Sequence, residues 1–158
     1  MDQVQKPMSF QKFQEIYSQV PRLSVDLIIQ SPEGILLTMR DIEPYKGFWH
    51  TPGGTVYFRE GIKDAVKRKA KEEVGADIEI VRNLGYIEFL DGESYGGFRD
   101  YVVSLVFLCK LLSSDIKLDE QSSDYKFFKE IPENTIPEIK RFLGQRGFDS
   151  PDLSRTKT

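Results

Sequence analysis

The stretch GGTVYFREGIKDAVKRKAKEEVGA, from Gly53 to Ala76, constrains the fold of this chain more than any other. Its second half predicts an amphipathic helix from about Gly61 to Val74 that ends at the capping residue Gly75. The apolar stripe of this helix consists of Ile62, Val66, Ala70 and Val74. A helix with one apolar stripe must bury it against another element. The two glycines before it allow the backbone to approach a ligand closely.

Strand patterns on both sides of this helix predict a mixed sheet. RLSVDLIIQ and ILLTMR, joined by the turn SPEG, indicate a β-hairpin. Further strands are predicted at DIEIV, LGYIEFL, YVVSLVFLCKLL and DYKFF, a hairpin loop at DGESYGGFRD, and a loop from Asp41 to Thr51. Two more helices are predicted, one capped by Ser9 and one from about Pro137 to Gly144. This order is typical of the α/β class, as an α/β/α sandwich with a mixed β-sheet.

Length and charge limit what such a chain does. The 158 residues, 39% of them hydrophobic, predict a single domain over residues 1–149 and a flexible tail over 150–158. A net charge of -3 gives no broad positive field for nucleic acid, so no nucleic-acid partner is expected. The sequence shows neither a signal peptide nor a membrane-spanning run, which predicts a cytoplasmic protein without a membrane partner. The single cysteine, Cys109, is predicted to be buried and inert.

Two adjacent carboxylates, Glu72 and Glu73, stand near the end of the predicted helix. Successive helical residues are about 100° apart, so both side chains can flank one site at the edge of the helix. Close carboxylates repel each other, and a divalent cation with oxygen ligands relieves that repulsion. The alternative is a solvated helix face, which the spacing of Lys63, Lys67 and Lys71 also matches.

The spacing of these residues resembles the sequence box of the Nudix hydrolase superfamily. The matching positions are Gly54, Glu60, Arg68, Glu72, Glu73 and Gly75. The resemblance implies a loop, helix and loop that hold Mg²⁺ or Mn²⁺ against a diphosphate, while water attacks a nucleoside diphosphate linked to another group. It also implies that Glu72 and Glu73 bind metal and that Arg68 orients Glu72, with Glu60 as an anchor behind them.

One box position departs from the family pattern. Lys69 stands where the family usually has a glutamate. Its ammonium is expected either to pair with Glu73 or to occupy part of the cation site. Both arrangements would reduce the number of metal ions bound.

Other stretches are similar to one branch, the GDP-mannose mannosyl hydrolases, which cleave a sugar carbon to oxygen bond. They are RLSVDLII with Asp26, LLTMR with Arg40, KGFWHTPGG, DYVVSLVF with Tyr101, and LDEQSSDYKFF with Gln121. This resemblance implies that the Gly54 carbonyl, Glu73 and Gln121 hold the metal. It implies that Arg40 and Tyr101 contact the nucleotide diphosphate, and Asp26 is a further substrate-binding candidate.

The general base of that branch is absent from the matching position. Ser122 stands where the branch has a histidine, and the only histidine in the chain, His50, precedes the glycines, where a packing role is expected. Glu120, Gln121 and Asp124 remain as candidates that assist the attacking water, and the sequence does not choose among them.

Together these residues predict a Mg²⁺-dependent (or Mn²⁺-dependent) hydrolase of a nucleotide sugar or another nucleoside diphosphate derivative. Its catalytic candidates are Arg68, Glu72, Glu73 and Glu120. Two alternatives stay open: cleavage at the sugar carbon, and a nucleotide-sugar sensor in which Lys69 has disabled catalysis. The N-terminal helix, with Phe10 and Phe13, is expected either to support a homodimer or to cover the sheet.

Overall fold

The structure, a computed structural model, describes residues 8–90, 97–113 and 115–148. In chain order its elements are α1 (Phe10–Tyr17), β1 (Arg22–Ser31), β2 (Gly34–Arg40), β3 (Trp49–His50), β4 (Gly53–Thr55), α2 (Ile62–Val74), β5 (Ile78–Phe89), β6 (Val102–Leu111), β7 (Ser122–Phe128) and α3 (Pro137–Gln145). The predicted tail over 150–158 and residues 91–96 of the predicted hairpin loop lie outside the described residues.

The central helix α2 forms as its sequence predicts. Gly61 is its N-cap, and Gly75 ends it in the left-handed conformation at φ 63°, which glycine adopts without steric cost. Val66, Ala70 and Val74 of the predicted stripe are buried. Burying a valine or leucine side chain contributes about 1.5–3 kcal/mol. The stripe therefore fixes α2 on the sheet, with its polar face outward.

The sheet is mixed because its two central strands are parallel. β1 pairs with β6 in parallel, and the remaining pairs are antiparallel, in the order β3-β2-β1-β6-β5. β4 adds to β1, and β7 adds to β2. The hairpin of β1 and β2 turns at Ser31 and Gly34, as the SPEG pattern predicts.

Two hydrophobic clusters cover opposite faces of this sheet. One joins α2 to β1, β2 and β6 through residues that include Val25, Leu27 and Ile29. The other joins α3 to the same sheet, where Ile28 and Leu37 meet Phe142. Alternate residues of β1 therefore serve alternate clusters, as strand geometry requires. The predicted three-layer α/β/α architecture is confirmed.

The structure corrects three details of the predicted elements. DIEIV and LGYIEFL, predicted as two strands, form the single strand β5, which stays paired with β6 across two bulges. The predicted loop from Asp41 to Thr51 contains the short strand β3. The double glycine, expected only to approach a ligand, also forms strand β4 against β1. Short strands lack the length to show a period, so sequence patterns miss them.

The N-terminal helix α1 begins where Ser9 predicts, since the Ser9 side chain accepts a hydrogen bond from the backbone of Lys12 at 3.3 Å. None of its residues is buried. Phe13 instead lies edge-on to Phe98, at 5.9 Å between ring centroids, and stacks near the Arg22 guanidinium at 5.2 Å. The helix thus lines a cleft rather than covering the sheet.

Two further predictions concern the single cysteine and membrane-spanning helices. Cys109 is buried, and burial raises its pKa to about 12, so the thiol stays protonated. No helix within the described ranges is long and apolar enough to span a membrane.

Candidate active site

A cleft of about 600 Å³ opens where the first residues of β1 and β6 meet the last residues of β2. Its volume lies within the range of about 300–1,000 Å³ common for small-molecule sites. Among the predicted site residues, it is lined by Asp26, Arg40, Gly54, Arg68, Glu73 and Gln121. Glu72, Tyr101 and Glu120 are not part of its lining. The fold thus brings together six of the nine predicted residues.

Glu73 is a buried carboxylate of the cleft, with a side chain 9% exposed. The backbone N–H of Gly53 donates to its Oε2 at 2.9 Å, which fixes the helix residue against strand β4. Burial raises the pKa of Glu73 to about 7, although the Lys69 ammonium and the Gly53 N–H act to lower it. Glu73 is therefore held in one orientation at the glycine-lined wall of the cleft.

Lys69 pairs with both glutamates of the box. Its Nζ lies 3.1 Å from Glu73 Oε1 and 3.4 Å from Glu72 Oε2. Burial acts to lower the pKa of Lys69, but the two carboxylates act more strongly to raise it. The pKa is raised on balance, so the side chain stays charged. A Cβ on Gly54 would lie 2.7 Å from Lys69 Cε, so the glycine makes room for this lysine. The expected pairing of Lys69 with Glu73 is thus present.

Glu72 is not part of the cleft lining, although it shares the Lys69 ammonium with Glu73. Its side chain is 46% exposed and accepts from Arg68 at 3.1 Å and from Lys69 at 3.4 Å. The helical step of about 100° explains this difference, because only one of two adjacent residues can face strand β4. Glu72 therefore acts on the cleft through Lys69.

Arg68 forms the support behind these acids. Its guanidinium donates to both oxygens of Glu60, at 2.7 and 2.9 Å, and to the backbone carbonyl of Thr55 at 2.8 Å. It lies over the Tyr57 ring, 3.8 Å from the centroid. A planar fork with five donors suits this arrangement, and an ammonium does not. The predicted pairing of Arg68 with Glu72 is present, and Glu60 is the nearer partner.

Replacing Arg68 by lysine is expected to destabilise the protein by about 1.5–3 kcal/mol, because the two-pronged bond to a buried carboxylate is lost. Urea denaturation measures the difference. Arg82→Lys, at an exposed position of β5, is the matched control and should leave stability unchanged. Equal midpoints for the two variants would contradict the supporting role of Arg68.

Arg40 and Asp26 lie at the base of the cleft. Arg40 donates from Nε to the Pro44 carbonyl at 2.7 Å; burial lowers its pKa, against the attraction of Glu73. Asp26 is buried, and the hydroxyls of Thr51 and Ser104 donate to its two oxygens. Burial raises the pKa of Asp26 to about 6, against those hydrogen bonds. The predicted roles of both residues in substrate binding remain predictions.

Tyr101 lies outside the cleft lining. Its hydroxyl donates to Glu88 at 3.1 Å, a hydrogen bond that is the main cause of its raised pKa. Consecutive strand residues face opposite sides of a sheet, and Val102 is the neighbour that lines the cleft. The position of Tyr101 does not favour its predicted contact with a diphosphate.

The candidates for assisting water do not all lie near the site. Gln121 lines the cleft, whereas Glu120 and Asp124 are exposed and do not. Asp119, which the sequence pattern did not single out, donates its backbone N–H to the Glu73 carbonyl at 3.2 Å and adds negative charge near Glu73. The acidic run LDEQ indicated that an acid could lie near the site, but only the fold shows that Asp119 is the one that contacts α2.

The oxygen donors at the glycine wall fit one small hard cation. Glu73, Gly54 and Gln121 line the same cleft. Mg²⁺ is commonly held by one or two carboxylates together with substrate phosphates and waters. In the described part of the chain no group of three or more His, Cys, Asp or Glu is arranged to hold a metal. The metal-binding roles of Glu73, Gly54 and Gln121 therefore remain predictions.

His50 lines the cleft, and both of its ring nitrogens are hydrogen-bonded. Its Nδ1 donates to the Thr51 carbonyl at 2.9 Å, which leaves Nε2 to accept from the Thr38 hydroxyl at 3.0 Å. Burial and the charge of Arg40 lower the pKa of His50 to about 3. Between about pH 3 and 6.5, His50 is therefore neutral in the folded protein and protonated in the unfolded chain. Its contribution to the free energy of unfolding is lost as the pH falls through that window.

The His50 ring is expected to stay neutral from pH 5 to 8. Because the chain has one histidine, its imidazole NMR signals are unambiguous, and they should not shift over this range. A titration midpoint near the ordinary value of about 6.5 would contradict the enclosed, neutral ring.

Several cleft residues carry no local sequence signal. Phe58, 71% exposed, lines the cleft. Tyr45 and Glu138 line it from the β2–β3 connection and from the first turn of α3. They are separated by more than 90 positions in sequence, so only the fold reveals that they share one cavity.

Comparisons with known proteins agree with this geometry. A family model described as NUDIX domain matches residues 20–143. The chain is 36% identical over 134 residues to the low-salt glycan biosynthesis protein Agl8 of Haloferax volcanii, which covers 84% of this chain and 86% of that protein. It is 32% identical over 108 residues to an ADP-ribose pyrophosphatase of Methanocaldococcus jannaschii, covering 68% of this chain and 62% of that protein.

A crystal structure of a MutT NUDIX hydrolase from Burkholderia pseudomallei superposes with a TM-score of 0.70 at 26% identity, over 80% of this chain and 98% of that one. The narrower similarity to mannosyl hydrolases stays a prediction, since the relatives named here are not described in that way. The box, the sandwich and these matches together show that the chain belongs to the NUDIX family of hydrolases.

Proposed function

We propose that this enzyme hydrolyses a nucleoside diphosphate linked to a sugar. The observation that carries the proposal is the lining of the cleft, which combines Arg40, Lys69 and the glycines of β4 with aromatic side chains of α1. Cationic side chains suit a diphosphate, and aromatic rings suit a base or sugar face. The names of two relatives, a glycan biosynthesis protein and an ADP-ribose pyrophosphatase, support the same class of substrate.

Nudix hydrolases generally use divalent metal ions. In this chain Glu73, the Gly54 carbonyl and Gln121 would hold one Mg²⁺ or Mn²⁺ ion. The ion supplies positive charge against the charge that develops on the leaving phosphate. Arg40 and Lys69 bind and orient the diphosphate in this proposal, while Arg68 keeps α2 in register with β4.

A substrate panel tests this proposal. Nucleotide sugars, dinucleotide polyphosphates and nucleoside triphosphates are incubated with Mg²⁺, with Mn²⁺ and with chelator, and products are identified by chromatography. We expect nucleotide sugars to be hydrolysed fastest, and chelator to abolish turnover. Preference for triphosphates, or undiminished turnover in chelator, would overturn the substrate or the metal assignment respectively.

The position of bond cleavage is decided by hydrolysis in ¹⁸O water. Label in the phosphate product indicates attack at phosphorus, the usual route of the family. Label in the sugar indicates attack at the sugar carbon, the alternative that the mannosyl hydrolase similarity implies. The experiment uses the best substrate of the panel and mass spectrometry of both products.

The pairing of Lys69 with Glu73 favours a second candidate, a nucleotide-sugar sensor with weak catalysis. Its ammonium, 3.1 Å from Glu73 Oε1, competes with a metal ion for that carboxylate. A sensor would be stabilised by nucleotide sugars without turning them over. Thermal melting with ligand, run beside the turnover assay, separates the sensor from the hydrolase.

Replacing Lys69 by glutamate, the residue usual in the family, is expected to tighten Mn²⁺ binding about tenfold, because a carboxylate replaces the competing cation. Calorimetric titration with Mn²⁺ measures the change. Lys71→Glu, on the exposed face of the same helix, adds the same charge outside the cleft and is the control. Equal affinities in the two variants would show that Lys69 does not compete with the ion.

A further inference from the structure

One carboxylate oxygen of the cleft, Oε2 of the half-buried Glu138, has no hydrogen-bond partner among the described residues. Among buried side-chain oxygens and nitrogens of the described ranges, only Glu138 Oε2 makes no hydrogen bond. A buried acceptor without a partner destabilises a fold, and native proteins keep few of them. The stability of the fold therefore does not explain why Glu138 is present at this position.

The backbone around Glu138 is fixed. Pro137 occupies the first turn of α3, and the Ile136 N–H donates to the Trp49 carbonyl at 3.0 Å. The Trp49 N–H in turn donates to the Asn134 carbonyl at 2.8 Å, which ties the start of α3 to strand β3. Glu138 makes no capping bond to the backbone of its own helix. The carboxylate is thus presented to the cleft by a rigid support.

Glu138 forms no ion pair within the described residues. The lysine of the same helix, Lys140, pairs with Glu133 at 2.6 Å, and Arg40 is engaged by the Pro44 carbonyl. Tyr45 is close enough that the negative charge of Glu138 adds to burial in raising the pKa of the phenol. The cleft lining contributed by this part of the chain is otherwise largely apolar, with Ile136 and Ile139. A hydrogen-bond donor is therefore the group that Glu138 Oε2 lacks.

The geometry points to Glu138 as a specificity-determining residue, whose carboxylate accepts hydrogen bonds from neutral donors on the part of the substrate away from the phosphates. This inference rests on the proposed function. The donors are hydroxyl groups of the linked sugar or N–H groups of the base. A site built to bind such a donor rejects an analogue that lacks it, because the carboxylate then stays buried and unpaired.

The test compares Glu138→Gln with the wild-type protein by calorimetric binding and by turnover. The control is Glu133→Gln, a change of the same kind on the segment before α3, where the side chain is 97% exposed. Ligands are two nucleotide sugars with the same base and different sugars, two with the same sugar and different bases, a deoxy-sugar analogue, and a nucleoside diphosphate methyl ester. We expect Glu138→Gln to weaken binding and raise KM about tenfold or more for the preferred ligand, with kcat within about threefold of wild type.

The panel distinguishes the two sources of the donor. If the sugar donates, the variant and the wild type bind the deoxy analogue and the methyl ester equally well. If the base donates, the weakening persists with the methyl ester and disappears when the base is exchanged. Equal weakening for every ligand, or none, would overturn the inference, as would failure of wild type to bind any nucleotide sugar.

A stability measurement adds a readout that does not need a substrate. Glu138→Leu should raise the melting temperature of the free protein by about 2–4 °C, since an unpaired buried acceptor is removed, while selectivity is lost. A lower melting temperature would show that Glu138 supports the fold instead. If the wild-type protein binds nucleotide sugars without hydrolysing them, the proposed hydrolase function is refuted and the inference about Glu138 stands. If the protein hydrolyses them and Glu138→Gln keeps the selectivity of the wild type, the inference is refuted and the proposed function stands.

Discussion

Replacing Glu73 by glutamine is expected to lower turnover by about 100-fold or more while the protein stays folded. The amide keeps the size of the side chain and can still accept from the Gly53 N–H, now 2.9 Å from Oε2. It removes the negative charge at the glycine wall, and with it the strongest ligand for a divalent ion and the nearest counter-charge of Lys69. Steady-state kinetics on the best substrate measure the loss, and circular dichroism verifies the fold.

Two further variants serve as comparisons for Glu73→Gln. Glu72→Gln should lower turnover less than about tenfold, because Glu72 is 46% exposed, lies outside the cleft lining and acts through Lys69. Glu79→Gln, at an exposed position of β5, should leave turnover unchanged. Activity within about threefold of wild type in Glu73→Gln, or an equal loss in Glu72→Gln, would contradict the assignment of Glu73 as the principal acid.

Replacing Gly53 by alanine is expected to destabilise the protein by about 3 kcal/mol, the upper end of ordinary overpacking. The added Cβ would lie 2.2 Å from the Val25 carbonyl oxygen and 3.1 Å from Asp26 Cα. Both are backbone atoms of the central strand β1, so neither can move as a flexible side chain would. For a chain of this length the change corresponds to a fall in melting temperature of about 6–12 °C.

The same substitution should also abolish most activity, since separation of β4 from β1 withdraws the Gly53 N–H from Glu73. Differential scanning calorimetry and the turnover assay are run on one preparation. Gly61→Ala is the matched control: its φ is -65°, and its Cβ would meet the mobile end of Asp64 at 2.8 Å. Gly61→Ala should lower the free energy of unfolding by no more than about 1 kcal/mol. A melting temperature for Gly53→Ala within about 2 °C of that control would refute the close contact of β4 with β1.

Local geometry explains which parts of the site were predictable. Arg68 and Glu72 are four residues apart on one helix, so their pairing follows from helical geometry. The same holds for Lys69 and Glu73, whose pairing was one of two predicted outcomes. The αL cap at Gly75 and the turn after Ser31 are likewise fixed by neighbouring residues.

Longer-range features were predicted less well. Glu73 faces the cleft and Glu72 does not because β4 supplies a backbone donor, Gly53, twenty residues earlier in the chain. Tyr101 was assigned to the substrate, but its hydroxyl is bound to Glu88 on a neighbouring strand. Asp119 reaches Glu73 only because the connection before β7 runs beside α2.

The sequence by itself determined the helix, its caps, the hairpin, the mixed α/β class and the family, because each depends on spacings of a few residues. The tertiary structure decided which of the two adjacent glutamates is buried, which candidates share the cleft, and that Glu138 Oε2 has no hydrogen-bond partner among the described residues. The physical reason is that burial and hydrogen-bond saturation depend on all the elements that surround a side chain. Those elements come from distant parts of the chain, and no local pattern records how they meet.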